Sequence, residues 1–182
     1  MKSLALLLAL LPGLAFGQTP AEKRAAVEKL LTELKAADSS DVAAPLEQRI
    51  QQLWIDGDSA AVTLLMHRGL RELKGETYDE AIETFDAVIV LDPTLAEAWH
   101  RRGIARFRSG DTPGAAADFQ QALKLEPRDF AAWRTLTDIA VAREDWYGAY
   151  TAWQKLLDID PKAADGESRL RDFKRKAVGE DT

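Results

Sequence analysis

The chain has 182 residues, enough for one ordinary domain, with 24 basic against 30 acidic side chains, no cysteine and a formal charge of −6. Without Cys there can be no disulfide, thiol nucleophile, thiolate metal site or acylated lipoprotein anchor. The acidic balance argues against nucleic acid and anionic lipid surfaces as partners, because both call for a surplus of Lys and Arg.

Residues 1–17 read as a cleavable secretory signal. Met1-Lys2-Ser3 is a basic start, Leu4 to Leu11 is an unbroken Leu/Ala run, Pro12-Gly13 breaks it, and Ala15 and Gly17 flank a cut before Gln18. The apolar run falls short of the ~20 residues a membrane span requires. Losing it removes Lys2 alone and takes the charge from −6 to −7. No later stretch is apolar enough to span. The expected location is the bacterial periplasm or the medium, where a packed helical array needs no disulfide staples.

Thr19-Pro20-Ala21-Glu22 then reads as a helix start, with Thr19 as cap and Glu22 returning a bond to it. Val27, Leu30, Leu31 and Leu34 carry an apolar face to about Ala37. After the loop Ser39-Ser40-Asp41, Pro45 is expected to begin a second helix with Leu46, Ile50, Leu53 and Trp54 on its apolar face. Asp56-Gly57-Asp58 closes it.

From there the sequence repeats. Pro93, Pro127 and Pro161 lie 34 apart, each preceded by an acid (Asp92, Glu126, Asp160) and an apolar residue. Ala81, Ala115 and Ala149 keep the step, as do Phe85, Phe119 and Trp153, and Leu65, Trp99 and Trp133 head the units. Gly69 and Gly103 repeat, with Thr137 in their place in the third unit. First helices are expected near 59–74, 96–109 and 130–143, and second helices near 78–91, 113–125 and 146–159. Thr77-Tyr78-Asp79-Glu80 and Thr94-Leu95-Ala96-Glu97 read as capping boxes, and Thr112-Pro113 as a cap with a first-turn proline. Residues 18–58 fit a degenerate leading repeat. Residues 59–161 form three units (59–95, 96–129, 130–161), and 162–182 a capping helix and tail with a polar outer face.

A 34-residue step with this skeleton resembles the tetratricopeptide repeat superfamily over roughly 59–161. Leu125-Glu126-Pro127-Arg128-Asp129-Phe130 also resembles a segment opening the last unit of small exported repeat proteins of Gram-negative bacteria, with Asp129 where His would be expected. The resemblance implies an all-α solenoid of stacked helix-turn-helix units. Their first helices would line a concave groove that takes a peptide or a helix. It does not extend to the clamp for chaperone C-terminal tails. The clamp positions hold Met66, His67 and Leu70, then His100, Arg101 and Ile104, with no Asn pair.

Trp99, Trp133 and Trp153 fall on packing positions of the repeat, and Trp54 and Trp146 on apolar helix faces, so all five are expected in the core. His67 and His100 lie on successive first helices and could face one groove, but no third ligand stands at metal-binding spacing, and no metal or cofactor is assigned. The paired carboxylates, such as Asp79-Glu80-Glu83 and Asp56 with Asp58, sit at helix starts and turns, where the helix dipole favours acids. With no nucleophile motif or phosphate loop, catalysis is not expected. One charge feature stands out: Arg101, Arg102, Arg106 and Arg108 face Glu97 alone between Ala96 and Ser109. Arg134 follows on the next first helix, and Arg169, Arg171, Lys174, Arg175 and Lys176 on the last. These are either a solvated face paired to Asp118 and Glu126, or a basic groove selecting an acidic peptide. Expected groove contacts are His100, Arg101, Ile104, Arg108, Arg134 and Asp138, with His67, Leu70 and Lys74 beside them. The functional expectation is an exported adaptor holding part of an envelope protein. The alternatives are a self-assembling structural protein and a metal binder using His67 and His100. Oligomeric state is left open.

Overall fold

The computed structural model describes residues 19–179, so the expected signal segment lies outside the described residues. They form nine helices and no strand: α1 (Pro20–Lys35), α2 (Ser40–Ile55), α3 (Ala60–Lys74), α4 (Tyr78–Leu91), α5 (Ala96–Ser109), α6 (Thr112–Leu125), α7 (Phe130–Ala142), α8 (Trp146–Ile159) and α9 (Gly166–Val178). From α3 to α8 each helix begins and ends within a residue or so of the positions the 34-residue step predicts. The chain is a solenoid of helix-turn-helix units, closed by α9 against α8.

The step can be read in the hydrogen bonds. The acid before each proline accepts a backbone N–H from two residues on: Asp92 from Thr94 (3.1 Å), Glu126 from Arg128 (3.0 Å) and Asp160 from Lys162 (3.1 Å). Such a side-chain turn closes the bend where proline ends the helix. The indole N–H of Trp99 and of Trp133 donates back to the carbonyl of Pro93 and Pro127, both at 3.0 Å. Within units one and two, a glycine lets the second helix close in. A Cβ at Gly69 would lie 2.7 Å from Phe85, and one at Gly103 would lie 2.9 Å from Phe119.

Several local expectations are corrected. Pro45 lies inside α2 as its sixth residue, since the helix starts earlier at Ser40; past the first four N–H groups, proline there leaves the Asp41 carbonyl without its i+4 donor. Thr77 makes no side-chain cap, Leu95 rather than Thr94 precedes α5, and Asp111 rather than Thr112 caps α6 by accepting from Gly114 N–H. Thr19 and Glu22 do form the capping box. The last helix starts at Gly166, not Lys162, since residues 161–165 turn.

The α1–α2 hairpin does not stack ahead of α3 as a leading repeat would. Its buried Val27, Leu31, Leu34, Ile50 and Leu53 share one core with Phe130 of α7, Trp153 and Leu156 of α8, and Phe173 of α9. Units one and two form the other core, around Met66, Phe85, Val88 and Ala105. The hairpin therefore lies across the array instead of extending it.

Candidate functional site

The leading helices α3, α5 and α7 present four parallel rows of side chains, each keeping the 34-residue step. These rows are Met66, His100 and Arg134; His67, Arg101 and Thr135; Leu70, Ile104 and Asp138; and Lys74, Arg108 and Ala142.

The innermost row is covered by α2. Met66 and His100 are buried. Arg134 makes a two-pronged ion pair with Glu47 of α2, both bonds 3.0 Å, and Trp54 of α2 tilts onto Phe130 with ring centroids 5.3 Å apart. His100, expected as a groove contact, is therefore an interior residue. Arg134 is half-buried and already holds a carboxylate of its own chain.

Around His100 a closed polar cluster forms. Its Nδ1 lies 3.4 Å from Glu97 Oε2 and 3.5 Å from Asp129 Oδ2, while Nε2 lies 3.1 Å from the Thr135 hydroxyl. That hydroxyl donates to the Ala131 carbonyl, so the ring donates to Thr135 through Nε2. Glu97 gives its other oxygen to Arg101 at 2.6 Å, and Asp129 accepts from Ala132 N–H at the start of α7. Burial would raise the Glu97 carboxyl, yet Arg101 and His100 hold it down at about 2. Burial, with the Glu97 charge adding to it, pushes Asp129 up to about 6 against the pull of His100. Glu97, His100 and Asp129 are the one group among the described residues whose donor atoms converge as metal ligands do. Arg101 already supplies the compensating cation beside them.

A second carboxyl pair lies under the hairpin. Burial and the neighbouring Glu47 raise Asp160 to about 7, whereas Arg134 and Asp160 lower Glu47 against the cost of its burial. Asp160 Oδ2 is buried without a hydrogen-bond partner. A proton held there satisfies it by donation to the Glu47 carboxylate.

The outer rows remain accessible. His67 is half-exposed, with Nε2 3.9 Å from Asp56. Leu70 and Ile104 are half-buried, and Lys74 and Arg108 are exposed at the ends of α3 and α5. Asp138 is exposed and accepts from Arg169 of α9 at 3.0 Å. Much of the remaining basic stretch is structural. Arg102 bridges Asp86 and Asp118 between helices and lies 4.8 Å over the Trp99 ring, and Arg106 also reaches Asp118. One step later these positions hold Leu136 and Ala152. There an apolar cleft of about 480 Å³ opens between α6 and α7–α8, lined by Phe107, Phe119, Trp133, Ile139 and Tyr147.

Glu47, Glu97, Asp129 and Asp160 went unpredicted as members of this region. Asp129 carried a signal, since it departs from the residue expected there. Glu47 carried none, because its partner is 87 residues away.

Comparison with known proteins agrees with the repeat reading. Residues 71–134 match the family model described as tetratricopeptide repeat. A TPR repeat-containing protein of Rhizobium etli is 28% identical over 156 residues, covering 86% of this chain and 76% of that protein. RNA polymerase II-associated protein 3 of Homo sapiens is 25% identical over 191 residues, which cover 85% of this chain but only 28% of the human protein. Among solved structures, the first TPR of Spaghetti (RPAP3) bound to the HSP90 peptide SRMEEVD superposes with a TM-score of 0.57 at 23% identity. It covers 65% of this chain and 94% of that one. The MamA protein superposes with a TM-score of 0.57 at 19% identity over 87% and 85% of the two chains.

Proposed function

The chain carries tetratricopeptide repeats, and from that premise we propose that it is an exported, non-catalytic interaction scaffold for a protein of the cell envelope. The observation that carries the reading is the accessible pair of rows beside the covered one, where Leu70 and Ile104 offer an apolar floor and Lys74 and Arg108 a basic edge. A segment with an acid flanked by apolar residues fits that combination, and Arg suits it because its planar fork bonds a carboxylate twice. The HSP90 peptide held by the RPAP3 domain, SRMEEVD, is itself acidic. Export rests on the basic start, the Leu/Ala run and the small residues of positions 1–17.

Two measurements test this. The mature chain recovered from the periplasm or medium should begin at Gln18; an intact Met1 on a cytoplasmic product removes the export half. Cross-linked capture from envelope extracts should yield a partner that is lost with Ile104→Glu and Arg108→Glu while the melting temperature holds. Equal capture by both chains removes the groove assignment.

A further inference from the structure

In α2 the chain supplies an example of what its leading-helix face accepts. Glu47, Ile50 and Trp54 fall on one side of α2, at the i, i+3, i+7 spacing of a helix laid in a groove. Glu47 meets Arg134, Ile50 is fully buried, and Trp54 rests on Phe130. The opposite side, with Ala44, Gln48 and Gln52, faces solvent.

The seat beneath α2 is part core and part charge: Ile50 and Leu53 join the apolar cluster of Phe130, Trp153 and Leu156. Beside that cluster it holds the Glu47–Arg134 ion pair and the buried Asp160. Burying these three ionisable groups costs more than packing apolar residues of the same size. It also sets the Glu47 carboxylate against a second acid, Asp160. A face lined this way is suited to meeting water or a charged guest for part of the time. Only residues 56–59 join the hairpin to α3.

We propose that this face receives an acidic amphipathic helix from a partner protein, in exchange with the chain's own α2, which holds the seat in cis. The proposal rests on the scaffold reading above and names its partner class: a helix with a carboxylate for Arg134, an aliphatic residue three positions on and an aromatic four beyond that. The tethered hairpin competes at a high effective concentration, so a partner binds appreciably only when the hairpin is loosened or the partner helix fits better.

The test uses the full chain and two labelled probes. One is a peptide of residues 19–56, and the other an Ala/Lys host helix keeping only Glu47, Ile50, Leu53 and Trp54 at their spacings. In the full chain, Ile50→Asp frees the seat. Both probes should bind this variant at least about tenfold more tightly than the unaltered chain. Adding Arg134→Glu should cost at least about tenfold, and a Glu47→Lys probe should recover it. Equal binding to both chains, or indifference to Arg134, overturns the proposal. So does a concentration-dependent dimer of the unaltered chain in light scattering, since the occupant is then a second copy. Should Ile50→Asp fail to fold, hydrogen exchange on the unaltered chain decides: α2 amides must exchange far faster than those of α5, and equal protection overturns it. Because the probes come from this chain, failure to capture an envelope protein leaves the result standing.

Discussion

At residue 76 the backbone enters the left-handed region (φ 62°), and it does so again at residues 110 and 144, one repeat apart each time (φ 97° and 58°). Only the middle unit has glycine there; Glu76 and Glu144 adopt a conformation that crowds a Cβ. Gly75 misses the position by one residue and sits at φ −79°, which is why the first unit looks out of register in sequence. Glu144→Gly should therefore raise stability by ~0.5–1 kcal/mol, and Gly110→Ala should lower it by about 1 kcal/mol. Urea unfolding of the two variants checks both signs. The reverse argument holds at Gly103, where a methyl would sit 2.9 Å from the buried Phe119 ring. Gly103→Ala should cost ~1–3 kcal/mol by overpacking, read as a drop in the urea midpoint.

Between elements, side chains that looked alike in sequence separate by what they touch. Trp133 is half-buried and pinned by its indole N–H to Pro127. Trp133→Ala should cost ~3 kcal/mol, the low end of the range for a large aromatic because part of the ring stays wet. On sequence Arg134 reads as an exposed groove residue. In the structure it joins α7 to α2 through Glu47 and is half-buried. Arg134→Glu would set a third acid beside Glu47 and Asp160 and should cost ~1–3 kcal/mol, beyond the few tenths typical of a surface change. Adding Glu47→Arg should return part of that loss in a double-mutant cycle; fully additive losses would show that the two side chains are not coupled. The repeat helices were legible because each unit has to bury the same alanine and aromatic positions against its neighbour. The hairpin's course was not, since its partners are α7, α8 and α9 and no local period encodes them.

For the whole molecule, the acids under and beside α2 link folding to pH. Asp160 rises from 3.8 to about 7 and Asp129 from 3.8 to about 6, so the folded chain binds protons more tightly than the unfolded one between about pH 4 and 7. Stability then falls as pH rises through that window and levels above it. Glu97, held at about 2, has the opposite sign: its contribution is complete above its ordinary value of 4.5 and fades only in strong acid. The melting temperature should accordingly be higher at pH 5 than at pH 8. Asp160→Asn should flatten most of that slope and stabilise the chain at pH 8 by on the order of 1–2 kcal/mol. An unchanged slope in that variant would assign the pH dependence to other groups, with Asp129→Asn the next to measure.

The 34-residue step by itself determined the number, length and order of the repeat helices and where the bends between them fall. Those features arise from neighbours in the chain, and a recurring pattern records them. Only the tertiary structure decided that α2 lies against the leading helices, that His100 is interior, and that Arg134 is paired within the chain. Each of those depends on contacts across 35 residues or more. Periodicity shows which side of a helix must be covered, but the identity of the cover is settled by the free energy of the assembled chain.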